Sequence, residues 1–454
     1  MTALEISAGD TAWVLTAAAL VLLMTPGLAM FYGGMVRANS TLNMMMKSIV
    51  SMGVVGVLWV LYGYGLAFGP SIGGIIGNPI GLIGLSATMG ADAMVGTIPT
   101  LAFVGFQAAF AIIAVALISG AVADRMTFQA WLVFSVIWAT LVYFPAAHWV
   151  FAFDGFAAEK GGWIANTVKA IDFAGGTAIH INAGVAALVL ALVVGKRIGF
   201  GDRPMRPHNM TMVMLGAGLL WFGWFGFNAG SALGANGTAA HAWVTTLAAT
   251  AAAMLGWLTT ERLRDGHFTS LGAASGVVAG LVAITPACAA VSPLGAVVIG
   301  AVAGCLCALA VGLKFRFGYD DSLDVVGVHL VGGLVGTLLI GFLADPAAPN
   351  AVAGLFYGGG FDQLVRQAIG AGAVLLYSAV LTGVIALALS KVMTLRVAPQ
   401  AELDGIDLAE HAEAGYDLSP VRYTSYRSGG PLGQGRITQR LVIPAAATSE
   451  EVSS

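Results

Sequence analysis

The chain has 454 residues, of which 58% are hydrophobic and 9% charged, against about 25% charged in ordinary soluble domains. That balance excludes a soluble globular domain and a nucleic-acid binder and points to a polytopic membrane protein. The net charge of −3 says little about partners, because the charged residues fall almost wholly in loops and the tail.

The first ten residues lack the basic n-region of a secretory leader, so the apolar stretch 11–36 reads as a retained span. Apolar stretches of about 20 residues mark further spans. They follow at 44–69, 99–123, 128–152, 174–196, 208–232, 241–262, 270–287, 293–314, 325–344 and 364–393. The 62 glycines predict tight helix packing, because in lipid small residues let backbones approach. Eleven spans place the two termini on opposite sides. With the N-terminus outside, thirteen Lys and Arg fall in inner segments, against Lys160, Lys169 and Arg366 in outer ones. Positive charge collects on the cytoplasmic side, so the N-terminus is expected outside and the C-terminus in the cytoplasm, in the cell membrane. The membrane domain is expected over 1–395 and a cytoplasmic tail over 396–454. Residues 400–411 fit a short amphipathic segment, and the stretch from Arg422 reads as disordered.

Two histidines break the apolar pattern. His180 lies in the fifth span and His329 in the tenth. An ionisable side chain inside a bilayer helix costs about 2.5–3.5 kcal/mol on insertion scales, so it marks a functional site by default. Three, four and seven residues after His180 stand Ala183, Gly184 and Ala187; after His329 stand Gly332, Gly333 and Gly336. Those offsets share one helix face. An acid precedes each histidine near the helix start, Asp172 and Asp324. Matching contexts five spans apart predict an inverted five-plus-five repeat, a common transporter plan with its site at the repeat interface. The bland reading is two unrelated core histidines.

Two neutral imidazoles share a proton well, because each offers one donor and one acceptor. No other acid or base falls deep in a span on this reading. A small neutral polar cargo therefore fits the lining better than an ion. Aromatic residues cluster near outer span ends: Phe106 and Phe110, His148-Trp149-Val-Phe151, and Trp221-Phe-Gly-Trp224-Phe-Gly-Phe227-Asn-Ala-Gly-Ser231. Their bland role is an interfacial belt; their functional role is attraction of a cation to ring faces.

The runs 224–231, Asp172-Phe-Ala-Gly-Gly-Thr-Ala-Ile-His180-Ile-Asn and Asp324-Val-Val-Gly-Val-His329 resemble signatures of the Amt/MEP/Rh ammonium transporters. Pro26-Gly-Leu-Ala-Met-Phe-Tyr-Gly-Gly34 and Lys196-Arg-Ile-Gly-Phe do so as well. The likeness covers about 10–415 and is closer to the Amt branch, chiefly through the sixth span. It implies a homotrimer of eleven-helix protomers, each with its own pore. It implies that Phe110 and Phe227 gate the outer mouth and that Ser231 accepts from ammonium, beside the neighbouring Trp224. Asp172 would support the vestibule through helix-end contacts, and His180 and His329 would be the pore imidazoles. Phe151 stands where the family usually has Trp, which implies weaker recruitment of a cation. The tail resembles a segment that helps dock P-II signal proteins. No cofactor is implied. The alternatives are an Rh-like channel for ammonia or carbon dioxide and an ammonium sensor. A membrane enzyme is disfavoured, because no nucleophile or metal cluster accompanies the histidines.

Three other features have default structural readings. Asp124-Arg125 serves topology in a short inner loop. His148, His208, His241 and His267 are solvated or capping. Cys288, Cys305 and Cys307 are filler without a disulfide or metal spacing.

Overall fold

The computed structural model describes residues 5–203 and 205–416; the stretch read as disordered from Arg422 lies outside the described residues. Among the described residues, ten helices are long and apolar enough to cross a membrane, and an eleventh is shorter. In chain order they are α1 (Ala8–Met35), α2 (Ala38–Phe68), α3 (Thr100–Val122), α4 (Phe128–Phe151), α5 (Gly176–Val194) and α6 (Met210–Gly230). After them come α7 (Gly237–Asp265), α8 (Ser270–Ile284), α9 (Pro293–Phe317), α10 (Val326–Leu343) and α11 (Asp362–Val392). The eleven apolar stretches thus correspond one to one with eleven helices.

The short helix α8 has a local cause. Pro286 cannot continue it, and residues 285–291 turn back through the protein while remaining buried. Irregular backbone at membrane depth survives only where protein satisfies it. Here the Cys288 carbonyl accepts from Thr245 Oγ1 at 2.7 Å and the Pro286 carbonyl accepts from Phe173 N at 3.1 Å.

The inverted repeat appears in contacts that occur in reciprocal pairs. Gly27 of α1 lies against Leu220 of α6, and Gly216 of α6 lies against Phe31 of α1. A shift of 189 residues takes Gly27 to Gly216 and Phe31 to Leu220. The same shift relates the Gly34–Val213 approach to that between Gly223 and Met24. Helices α5 and α10 behave likewise under a shift of 149: Gly184 packs on Leu330, and Gly333 packs on Ile181. At each crossing the missing side chain lets one backbone reach the other.

On the face that carries the basic loops, the loop ends are tied together by charge. Arg125 is fully buried and donates to the Gly195 carbonyl (2.7 Å), the Asp320 carbonyl and Ser322 Oγ (both 2.5 Å). Arg197 bridges Asp320 at 2.8 Å and Asp124 at 3.4 Å. Burial lowers the Arg125 guanidinium to about 10, so it stays charged at neutral pH. Asp124-Arg125 is therefore more than a topological marker: Arg125 joins three of the loop segments on this face. Two short helices, α12 (Pro399–Asp404) and α13 (Ile406–His411), dock on the same face. Asp407 accepts from the N–H groups of Leu42 and Asn43 at the start of α2, at 3.0 and 2.8 Å. Glu410 accepts from Phe128 N at the start of α4, at 2.8 Å. Carboxylates suit helix N-termini, so these tail helices cap two spans.

Candidate functional site

Both histidines lie where a helix is locally widened. His180 falls in a π-turn at Gly176–Ile181 and His329 in one at Val326–Leu330. Such turns often accompany functional sites, and here each swings an imidazole toward the crossing of α5 and α10. The rings lie 5.3 Å apart at 19°, with Nδ1 3.2 Å from Nδ1. One nitrogen must donate and the other accept, so the pair shares one proton between the facing nitrogens. His180 Nε2 has no hydrogen-bond partner among the described residues.

The sequence-derived acids are placed differently. Asp172 is buried and accepts four backbone N–H bonds, from Gly175 and Gly176 at 2.7 Å, Thr177 at 2.8 Å and Ala178 at 3.1 Å. Burial pushes its carboxyl above the ordinary value, against the pull of these four bonds. It caps the helix that carries His180, as a helix-end role requires. Asp324 is not its counterpart. Its carboxylate pairs with Lys314 at 2.6 Å. The counterpart is Asp321, whose Oδ2 accepts from Val326 N at 2.7 Å and which stands eight residues before His329, as Asp172 stands before His180. Asp324 instead corresponds to Gly175; both take a left-handed backbone, with φ of 62° and 123°. The spacing to the histidine was the signal in the sequence that could have identified Asp321.

Toward the other end of the path, Phe110 of α3 and Phe227 of α6 stack face to face, 4.2 Å between centroids and 11° apart in plane. Both are buried. The Phe227 ring is 6.1 Å from His180 and 5.2 Å from Trp224. Trp224 stacks on His180 at 5.4 Å and 14°. Phe110, Phe227, Trp224, His180 and His329 therefore form one continuous column of rings. Beyond His329 a small cavity of about 10 Å³, room for roughly one water, is lined by Phe31, Tyr32, Met35, Ser275, Asp324 and His329, among others.

Ser231 ends α6 half-buried, its hydroxyl donating to the Phe227 carbonyl at 2.8 Å and leaving its lone pairs free to accept. Phe151 is the last residue of α4 and is buried. Among the described residues no ring contact joins it to Phe110 or Phe227. Its neighbour Trp149 turns elsewhere, packing against Tyr377 at 4.5 Å with the rings tilted by 50°, and donating to the Ile75 carbonyl at 2.6 Å. His148 departs from a solvated role: it is fully buried and bonded at both nitrogens, to the Ala67 carbonyl and Ser71 Oγ, each at 2.8 Å.

A helical membrane bundle with a stacked phenylalanine pair, a hydrogen-bonded imidazole pair and a small cavity behind it fits a membrane transporter for a small cargo. Comparison with known proteins gives the class its family. Residues 12–416 match the model of the Ammonium Transporter Family. An ammonium transporter of Mycobacterium tuberculosis (strain H37Rv) is 64% identical over 432 residues, covering 90% of this chain and 91% of that one. The crystal structure of Candida albicans Mep2 superposes with a TM-score of 0.81 at 30% identity, over 93% of this chain and 95% of that one. A structure titled Sensor Amt Protein gives a TM-score of 0.82 at 30% identity, over 89% and 98%. The chain belongs to the ammonium transporter family, on its Amt/Mep side.

Proposed function

We propose that ammonium docks at the outer end of the ring column, among Phe110, Phe151, Phe227 and Ser231, with Trp224 behind them, and gives up a proton there. Ammonia then passes between Phe110 and Phe227 when the rings part, and is handed along His180 and His329 to the inner cavity. Asp172 holds the backbone of that passage rather than touching the cargo. The imidazole pair, bonded at 3.2 Å directly behind the stacked rings, carries this reading. Charge alone does not separate ammonium from potassium, which is of similar size. Ammonium differs in its directed N–H donors and in being able to lose a proton. Moving a bare cation through an apolar lumen costs several kcal/mol, and the deprotonated form avoids that cost. The proton left behind either returns to the outer water or follows along the imidazoles.

The chain is read as a homotrimer in the cell membrane, with the N-terminus outside and the tail in the cytoplasm. The thirteen-to-three partition of basic residues supports that orientation. The docked tail helices offer an inner face on which a P-II signal protein would bind. A pull-down with a P-II protein tests this, and equal capture of a chain ending at Leu395 would refute the tail's part in it.

The conduction reading is tested with purified protein in lipid vesicles. Replacing both histidines by alanine should abolish saturable methylammonium uptake and any ammonium-driven current. An unchanged current would remove the pair as the conducting element.

A further inference from the structure

We propose that Thr285 is a positioning residue for the outer imidazole, acting through Trp224. This rests on the reading that His180 and His329 line the conduction path. Thr285 is fully buried and stands one residue past the end of α8, where that span gives up its helix. Its hydroxyl donates to the Leu281 carbonyl at 2.7 Å. With its proton spent, the oxygen accepts from the indole Nε1–H of Trp224 at 2.8 Å. That N–H is the single polar group on the indole. The bond therefore sets the rotation of the ring about its own side-chain axis.

The ring so fixed lies flat on His180, at 5.4 Å and 14°. His329 meets His180 at its Nδ1 edge, at 3.2 Å, with the two ring planes 19° apart. His180 Nε2 finds no protein partner among the described residues, so no hydrogen bond on that edge orients the imidazole. Its direction comes from the indole that lies against its face and from the Nδ1 bond to His329. The turn that carries Thr285 also braces the helix start of His180. Pro286 packs on Gly176, and its carbonyl accepts from Phe173 N at 3.1 Å. One buried turn thus holds both the helix that bears the imidazole and the indole that covers it.

The inner imidazole lacks this device. The shift of 189 residues takes Trp224 to Met35, which lines the cavity beside His329. A thioether has no N–H to anchor. The clamp is a property of the outer imidazole alone, the one nearest the phenylalanine gate.

The test uses the full chain in vesicles and separates maximal rate from half-saturation. Thr285→Val keeps the shape and removes the hydroxyl. It should lower the maximal methylammonium rate about 10-fold, since small misplacements of a reacting group cost up to about 100-fold. Half-saturation should stay within about twofold, because docking occurs outside the clamp. Thr285→Ser keeps the acceptor and should restore the rate to within about twofold of the parent. Trp224→Phe removes the same bond from the other side, keeps a ring over His180, and should cost as much as Thr285→Val. The two combined should cost no more than either alone. Additive losses, a Ser variant as slow as Val, or a Val variant at the full rate would each overturn the proposal. If Thr285→Val does not assemble, the Trp224→Phe protein decides: full rate refutes the clamp, and a 10-fold loss at unchanged half-saturation supports it. A His180→Ala protein that transports at the full rate would instead refute the conduction reading beneath it.

Discussion

Replacing Gly184 by alanine should separate the two pore histidines without touching either. A methyl group built on Gly184 would collide with the backbone N of Leu330, the residue after His329, and lie 2.7 Å from its Cα and Cβ. Ordinary contact begins near 3.4 Å, so α5 and α10 must part by at least about 0.7 Å. The backbone of Leu330 is among the obstructing atoms, so no rotamer change relieves the clash. Carried to the imidazoles, that movement stretches the 3.2 Å nitrogen–nitrogen bond to about 3.9 Å or more, beyond hydrogen-bond range. Overpacking of this kind costs about 1–3 kcal/mol, partly offset by the better helix propensity of alanine, about 1 kcal/mol. The variant should fold with a modestly lower unfolding midpoint in detergent. Its initial methylammonium rate in vesicles should fall 10-fold or more, since a misplacement approaching 1 Å can cost about 100-fold. Gly372→Ala in α11 is the control, because a methyl group there meets nothing within 4 Å. If Gly184→Ala were to transport at the control rate, the close crossing would be irrelevant to conduction and the reasoning would fail.

Loss of either helix-capping acid should act on both pore halves alike. Asp172→Ala and Asp321→Ala should each lower stability by about 1 kcal/mol or more, whereas Asp324→Ala, which breaks an ion pair instead, should leave helix capping intact; unfolding midpoints in detergent rank the three. Phe151→Trp should tighten methylammonium half-saturation about two- to fivefold, the equivalent of roughly 0.5–1 kcal/mol of cation–π attraction, and an unchanged value would place Phe151 outside the docking site. Asp320 offers a test by pH. Burial opposes its charge, but hydrogen bonding and charge attraction from Arg197 outweigh burial and hold the carboxyl below its ordinary value. A depressed carboxyl stabilises the fold above its unfolded pKa of about 4, and that stability is lost as pH falls through the folded value. Asp320→Asn should therefore unfold at a lower temperature than the parent at pH 7, and the gap should close only below about pH 4.

The spans and the buried histidine pair were legible in the sequence because both signals are local. An apolar run reports its own burial in lipid, and a histidine within such a run reports its own cost. Phe110, Phe227 and Trp224 were legible through family motifs, although no spacing rule says that they form one column. The inner network was not legible. Arg125 reaches Gly195 and Asp320 across 70 and 195 residues of chain, and nothing near Arg125 announces that proximity. The same limit explains the exchange of Asp324 for Asp321. Both acids precede the helix, and the left-handed turn at Asp324 decides which carboxylate faces the exposed N–H groups. Of the two roles expected for His148, solvation fails, because the hairpin formed by Ser71–Ile72 and Ile76–Gly77 folds back over it, while its bond to the Ala67 carbonyl in the last turn of α2 is a capping contact.

The reciprocal contacts explain why the two histidines are alike in backbone and unlike in surroundings. Each sits on a π-turn, with a capping acid eight residues before and a glycine four residues after that packs on the other's helix. These are backbone features, and an inverted repeat imposes them on both halves. Side chains are free to differ. The shift of 189 that relates α1 to α6 takes Trp224 to Met35 and Phe227 to Ala38. One side thus has a stacked phenylalanine pair and an indole against its histidine, and the other has Met35 beside a small cavity. A symmetric backbone provides a path through the repeat interface. On the function proposed above, aromatic side chains on one side alone give that path its recruiting end, and its polarity resides in α3 and α6 rather than in the histidines.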